Sequence, residues 1–155
     1  MTVNPIDYIA IQNTIAKYCF ALDEKNFDGL KDVFTEDVDT IYPFRGTIKG
    51  VATVADAIKK RLTPVTTQHA LTTQHIAIAE NGRSANVTTY FTGIHFGQGK
   101  WSGSQRTAYG KYIDQLRCVE GIAADVPGAS GKWLIERREV LFMGELGEHG
   151  VMEGE

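Results

Sequence analysis

The spacing of hydrophobic residues divides this chain at about Pro64, with a mainly helical pattern before it and strand patterns after it. Before this proline, apolar residues recur every three or four positions, which is the period of an amphipathic helix. After it, β-branched residues fill long alternating segments, which is typical of strands. Helices followed by a run of strands favour an α+β domain, in which the helices pack on one face of a curved antiparallel sheet.

Three helices are predicted before Pro64. Their bounds follow from capping residues, from the apolar spacing and, for the last helix, from the proline itself. The predicted helices span residues 5–23, 26–34 and 51–62. Between the second and the third, residues 38–50 are expected to form a small hairpin with Tyr42 near its tip.

Four long strands are predicted after Pro64, joined by an Asn-Gly turn and by two glycine-containing loops. They span residues 65–79, 85–96, 106–119 and 132–143. A length of 155 residues suits one domain, so residues 1–155 are expected to form a single unit. Its Gly- and Glu-rich end, residues 146–155, is expected to be mobile.

Composition limits the partners. The chain has 16 Lys and Arg against 19 Asp and Glu, which gives a net charge of −3. Proteins that bind nucleic acid usually carry a basic surface, so a nucleic-acid partner is not expected. The N-terminus resembles no signal peptide and no run of 18 apolar residues occurs, so a cytoplasmic protein without a membrane partner is expected.

Cys19 and Cys118 show no C-x-x-C spacing and are expected to be free thiols. The sheet face without helices should be partly apolar, which predicts a homodimer or homotrimer.

The stretch TTQHALTTQH presents two histidines, His69 and His75, in nearly identical contexts. Six strand residues separate them by roughly 20 Å, so they cannot share one small site unless a bulge intervenes. A functional histidine needs a partner, and Asp23 lies on the apolar face of the first helix, four residues beyond Cys19. Asp23 either belongs to a solvated turn or orients a histidine from the end of the helix.

Four segments in order carry a resemblance: YCFALDEKNFDGLKDVF, IYPFRG, TTQHAL and GIHFGQG. They resemble the scytalone dehydratase branch of the SnoaL-like, NTF2-like superfamily, over roughly residues 7 to 145. The resemblance implies an α+β cone. In this fold, three N-terminal helices pack on a curved antiparallel, partly mixed sheet that encloses a pocket.

The resemblance also implies site residues. The implied catalytic residues are Asp23, Tyr42, His69 and His95. His69, held by Asp23, would act as the base, while Tyr42 and His95 would polarise a carbonyl or protonate a leaving oxygen. The implied substrate-binding residues are Tyr18, Phe91, Tyr112 and Met143. His75 is expected to be structural or exposed, and no metal or cofactor is expected.

Two departures from the family pattern concern the substrate. Leu22 stands where the family has a tyrosine, and Gly110 and Tyr112 stand where it has a serine and an asparagine. We therefore expect related chemistry on a different molecule. The expected function is a cofactor-independent, dehydratase-type lyase of secondary metabolism or catabolism, acting on a cyclic, largely apolar hydroxyketone-like molecule. An isomerase or polyketide-type cyclase with the same base, and a non-enzymatic ligand-binding or adaptor module, stay open.

Overall fold

The computed structural model describes residues 2–154 and confirms the α+β class. Two α-helices and a 3₁₀ helix pack on one sheet of six strands. The helices are α1 (Ile6–Asp23), the 3₁₀ helix Phe27–Asp32 and α2 (Val51–Leu62). The strands are β1 (Phe34–Tyr42), β2 (Gly46–Lys49), β3 (Thr66–Ile78), β4 (Ser84–Phe96), β5 (Gln105–Val119) and β6 (Lys132–Gly147).

The sheet is mixed, with the strand order β2-β1-β6-β5-β4-β3. Every neighbouring pair is antiparallel except β1 and β6, which run parallel. Register shifts interrupt the β3–β4, β5–β6 and β1–β6 pairs. Such bulges bend strands, so the sheet curves and its concave face receives the helices. The hydrophobic core lies between these two layers.

Helix α1 forms because its sequence supplies both a start and a buried stripe. Asn4 Oδ1 accepts a hydrogen bond from the Ile6 amide at 3.0 Å, as expected of a capping residue. Ile11, Ile15 and Tyr18, spaced by four and three residues, are each at most 2 % exposed. Asp23 is the last residue of the helix, so its carboxylate lies where this buried stripe ends.

The second predicted helix is too long. The helical pattern places Phe34 on its apolar face, but the 3₁₀ helix ends at Asp32 and Phe34 begins β1. Sheet pairing overrides the helical pattern, because the Ile135 amide of β6 donates to the Val33 carbonyl at 2.8 Å. The predicted small hairpin is confirmed, with Tyr42 paired to Gly46 beside its turn, and its first strand, β1, also joins the main sheet through β6.

The C-terminal segment folds back onto the domain. Strand β6 continues to Gly147, and residues His149–Met152 form a 3₁₀ helix in which Val151 is only 1 % exposed. Gly150 packs against the ring of Trp101, which leaves no room for a side chain there. The segment thus packs on the domain and does not extend away from it. The mobility of residues 146–155 stays a prediction.

The convex face of the sheet carries exposed apolar side chains: Tyr90, Tyr109, Ile113, Leu141 and Met143. They agree with the reasoning that predicts self-association, and the homodimer or homotrimer stays a prediction that light scattering can test. Within residues 2–154, no helix is both long and apolar enough to span a membrane.

Candidate active site

A cavity of about 460 Å³, counting its open mouth, lies between the helices and the concave face of the sheet. Its lining is mainly aliphatic and aromatic, which suits a ligand with a largely apolar body. The polar and charged lining residues are Tyr18, Tyr42, Arg61, His69, His95 and Tyr112. All the implied catalytic residues except Asp23 therefore line one cavity, and Asp23 contacts it through His69.

Asp23 and strand β3 form a tight hydrogen-bonded clamp. Asp23 Oδ1 lies 2.7 Å from Nδ1 of His69, and the same oxygen accepts a bond from Thr67 Oγ1 at 2.8 Å. Asp23 Oδ2 accepts the backbone amide of His69 at 2.9 Å. Since a carboxylate only accepts, Nδ1 of His69 carries a proton, and in the neutral ring Nε2 keeps its lone pair. The clamp thus fixes both the orientation and the tautomer of a histidine that faces the cavity.

The carboxyl group of Asp23 stays ionised in this setting. Burial works against its charge, but the hydrogen bonds and charge interaction with His69, together with the Thr67 hydroxyl, outweigh burial and lower the pKa of Asp23. The side chain of His69 is only 7 % exposed. An ionised carboxylate beside a shielded imidazole is the usual arrangement of a general base and the group that orients it.

The hydrogen bonding of His95 fixes the tautomer of its ring. Its Nδ1 lies 3.0 Å from the carbonyl oxygen of Arg106, and a carbonyl only accepts, so Nδ1 must donate. Burial, partly offset by this bond, lowers the pKa of His95 to about 4. The ring is therefore neutral near pH 7, and its Nε2 is an acceptor. In this resting state Nε2 has no proton to donate to a leaving oxygen, and the role of His95 in catalysis stays a prediction.

Tyr18 and Tyr42 form a hydroxyl pair in the cavity wall, with their oxygens 2.9 Å apart. One hydroxyl donates to the other, which leaves one O–H free to donate to a ligand. Burial raises the pKa of Tyr18 and Tyr42, although the charge of Arg138 acts in the opposite direction. Both phenols are therefore protonated near neutral pH and act as hydrogen-bond donors.

Arg138 and Asp114 form a fully buried ion pair behind these tyrosines. Nε and Nη2 of Arg138 each lie 2.7 Å from an oxygen of Asp114, and both side chains are 0 % exposed. The guanidinium carbon lies 4.3 Å from the ring centroid of Tyr18 and 4.0 Å from that of Tyr112. The bidentate contact with Asp114 outweighs burial and raises the pKa of Arg138. An ion pair with no net charge thus lies behind the aromatic wall of the cavity, with its guanidinium against the rings of Tyr18 and Tyr112.

Three of the four implied substrate-binding residues lie in that wall. Tyr18, Phe91 and Tyr112 line the cavity, and the rings of Phe91 and Tyr112 stack with centroids 4.3 Å apart. Met143 does not line it and is 61 % exposed. The pairing of β5 with β6 shifts at this point and leaves Met143 without an opposite residue. Phe142, on the inner face, occupies the cavity wall instead.

A β-bulge separates the two histidines of the repeat. Between Leu71 and Gln74, three residue steps along β3 oppose two along β4. His69 therefore pairs with Gly93 on the concave face, whereas His75 pairs with Thr88 and is exposed. The expectation that His75 is structural or exposed agrees with this placement. The bulge does not bring the two rings together, because it turns them to opposite faces of the sheet.

Two residues that sequence reasoning missed also shape the site. A side chain at Gly93 would place a Cβ atom 3.3 Å from Nε2 of His69, so the glycine leaves room for the imidazole ring. Arg61, in the last turn of α2, lines the cavity with its guanidinium carbon 4.5 Å from the ring centroid of Phe44. Helical spacing could have revealed Arg61, because it follows the buried Ile58 by three residues.

The described part of the chain contains no group of three or more His, Cys, Asp or Glu side chains placed to hold a metal ion. The side chains that face the cavity can instead move a proton and donate hydrogen bonds. His69 can accept a proton, the tyrosine pair can donate one hydrogen bond, and His95 can accept one.

Comparisons with known proteins agree with this fold. The SnoaL-like domain family matches residues 6–139, and the chain belongs to this family. No curated protein matches the sequence of the chain.

Solved structures share the architecture. A candidate scytalone dehydratase from Novosphingobium aromaticivorans DSM 12444 is 22 % identical, with a TM-score of 0.78 over 94 % of this chain and 90 % of the other. A candidate aromatic ring hydroxylase from Novosphingobium aromaticivorans is 24 % identical, with a TM-score of 0.76 over 96 % and 98 %. Hexachlorocyclohexane dehydrochlorinase from Novosphingobium barchaimii LL02 is 13 % identical, with a TM-score of 0.74 over 93 % and 91 %. At such identities these structures establish the shared fold.

Proposed function

We propose that this protein is a cofactor-independent lyase, which eliminates water from a cyclic, largely apolar hydroxyketone-like molecule. The clamp between Asp23 and β3 is the observation that carries the proposal. The Asp23 carboxylate accepts three hydrogen bonds, one of them from Nδ1 of His69. This bond leaves Nε2 of His69 as the base that faces the cavity. The names of two similar structures, a candidate dehydratase and a dehydrochlorinase, are consistent with elimination chemistry.

The first step is removal of a proton from the carbon beside the substrate carbonyl. His69 Nε2 takes the proton, and the C–H electron pair moves into an enolate whose charge lies on the carbonyl oxygen. The free hydroxyl of the Tyr18–Tyr42 pair donates a hydrogen bond to that oxygen. A positioned base is typically worth about 10²- to 10⁴-fold in rate, and a donor aimed at the enolate adds about 3 kcal/mol.

The second step expels the β-hydroxyl group. The enolate electrons return to form the conjugated double bond as the C–O bond breaks. His69 hands its newly acquired proton to the departing oxygen, which leaves as water. His95 Nε2 accepts a hydrogen bond from the substrate hydroxyl before it leaves, and so orients it. The proton balance closes on His69, so the site begins and ends each turnover in the same protonation state.

An isomerase is the second candidate. The same base can return its proton to a different carbon, which moves a double bond without losing a group. The resting state of His95 favours this alternative, because it supplies no separate acid for a leaving oxygen. The two reactions differ in product mass, since elimination removes one water and isomerisation leaves the mass unchanged.

The repeated sequence offers a matched pair of variants for the test. The protein is incubated in D₂O with a panel of cyclic β-hydroxyketones and cyclic enones. Ultraviolet absorbance follows conjugation, mass spectrometry follows water loss, and NMR follows deuterium uptake beside the carbonyl. His69→Gln is expected to lower the rate by at least about 10²-fold. His75→Gln, the exposed histidine of the same repeat, is expected to keep the wild-type rate.

Three results would count against the proposal. Equal losses in the two histidine variants would remove the assigned base. A change of bond position without water loss would replace the lyase by the isomerase. If no panel member shows water loss, isomerisation or deuterium uptake, the cavity belongs to a ligand-binding or adaptor module.

A further inference from the structure

Arg61 differs from every other residue that lines the cavity. Among the lining residues it alone carries an arginine, lysine or carboxylate side chain. Its side chain is partly buried, and its guanidinium carbon lies 4.5 Å from the centroid of the Phe44 ring. This contact holds the charged head group against an aromatic face of the cavity lining.

The guanidinium has no ionic partner in the described part of the chain. Within residues 2–154, no carboxylate oxygen lies within 4.0 Å of it, and it donates no hydrogen bond. Glu145, a carboxylate that acts on it at longer range, is itself paired with Arg106 at 3.1 Å. A guanidinium has five N–H donors, so Arg61 has unused capacity to bind an acceptor.

The end of helix α2 does not need Arg61 for its own stability. Lys25 Nζ donates to the carbonyl oxygens of Leu62 at 2.5 Å and of Val65 at 2.6 Å, which satisfies groups at the helix end. Lys59 and Lys60 lie in the same last turn, are exposed, and supply positive charge that complements the helix dipole. Other side chains therefore already stabilise the end of α2, and Arg61 is not required for that purpose.

Partial burial of an unpaired charge is unfavourable, and burial lowers the pKa of Arg61. An acceptor that brings two coplanar oxygens gains the most from such a group, because the guanidinium fork binds a carboxylate in a bidentate manner. The other polar groups in the lining are uncharged phenols, the neutral ring of His95 and the base His69. The cavity thus combines an apolar body with one cationic anchor.

We propose that Arg61 binds a carboxylate of the substrate, so that the substrate is an alicyclic or aromatic acid that also carries the reacting group. This inference rests on the proposed function for the reaction, and it adds the charged group by which the molecule is recognised. Arg61 is a specificity-determining residue and takes no part in proton transfer.

Matched acids and amides test the inference without a known substrate. The probes are benzoate with benzamide and 2-naphthoate with 2-naphthamide, which share shape but differ in charge. Binding to the full chain is measured by NMR titration at neutral pH, where dissociation constants on the order of 1 mM are expected for such fragments. The wild type is expected to bind each acid at least tenfold more tightly than its amide.

Variants assign the preference to one residue. Arg61→Met is expected to lose the tenfold preference while its affinity for the amides is unchanged. Arg61→Lys, which keeps the charge but not the fork, should keep only part of it. Lys59→Gln removes the same charge from the same helical turn outside the cavity and should keep the full preference.

Several outcomes overturn the inference. Equal affinities for acid and amide in the wild type would do so without any variant. A preference that survives in Arg61→Met, or failure of both acids to bind, would do the same. A carboxylate preference with no turnover of any hydroxyketone, including cyclic hydroxyketones that carry a carboxylate, would retain this inference and refute the proposed function. Turnover of neutral hydroxyketones without a carboxylate preference would refute this inference and retain the proposed function.

Discussion

Replacing the Asp23 carboxylate by an amide should abolish the ability of His69 to accept a proton while leaving the histidine in place. In Asp23→Asn, an amide N–H₂ group can take the place of the oxygen that now lies 2.7 Å from Nδ1 of His69. Such a donor requires a lone pair on Nδ1, and the proton of the neutral ring then moves to Nε2. The nitrogen that faces the cavity would become a donor and could no longer accept a proton.

The size of the effect follows from the bonds that are lost. General-base catalysis is worth about 10²- to 10⁴-fold, so the rate of proton abstraction should fall by that factor. The folded state should lose about 1 to 3 kcal/mol, because a charge-assisted bond to His69 is lost while the remaining oxygen can still accept the backbone amide. Turnover should therefore collapse in a protein that remains folded.

Two measurements separate this reasoning from a general loss of structure. Nitrogen-15 chemical shifts of the His69 ring report which nitrogen carries the proton, and deuterium uptake by a ketone substrate reports its basicity. Urea unfolding gives the change in stability, and His75→Gln serves as the folded control. Asp23→Asn protein that keeps the proton on Nδ1, or that keeps the wild-type exchange rate, would refute the role of the clamp.

Three further predictions concern the surroundings of the base. Gly93→Ala places a Cβ atom 3.3 Å from Nε2 of His69, so the rate should fall roughly tenfold with less than about 1 kcal/mol lost in urea unfolding; an unchanged rate would contradict the fit. The pKa of His95 is about 4 against about 6.5 unfolded, so the unfolded chain binds more protons and stability should fall by on the order of 3 kcal/mol from pH 6.5 to 4; unfolding of His95→Gln across this range should lack that slope. Arg138→Met leaves Asp114 buried without its partner and should cost about 3 to 5 kcal/mol in thermal or urea unfolding, much of it recovered by adding Asp114→Leu; a cost below about 1 kcal/mol would show that the pair contributes little.

The fold class was accessible from local patterns in the sequence, whereas the pairing of Asp23 with His69 also needed the family resemblance. Periodicity placed Asp23 at the end of the buried stripe of α1, and the resemblance placed His69 opposite it. The end of the second helix was wrong, because Phe34 leaves the helical pattern to pair with β6, and a long-range pairing has no local signal. The resemblance placed Met143 in the cavity wall, but a bulge there leaves Met143 outside the wall, and that bulge depends on the pairing with β5.

Buried charges were the other omission. Asp114 has the same parity as the buried Tyr112 and Leu116 on β5, so strand alternation could have placed its side chain on the inner face. Its partner Arg138 lies 24 residues later on β6, and their contact depends on the β5–β6 register. Gly93 was missed in the same way, since its role depends on the ring of His69 on the neighbouring strand. Residues whose role is to leave space are recognisable only after the strands are paired.

The sequence TTQH occurs twice on β3. The bulge between Leu71 and Gln74 reverses which side chains of the second copy face the cavity. In the first copy the histidine faces the cavity. In the second copy Gln74 faces inward instead, and it donates a hydrogen bond to the buried Thr89 at 2.9 Å. Two copies six residues apart would show the same face in an uninterrupted strand, because six is a multiple of the strand period. One extra residue reverses the alternation, so the histidine of the first copy lines the cavity and the histidine of the second copy lies on the outer surface of the sheet.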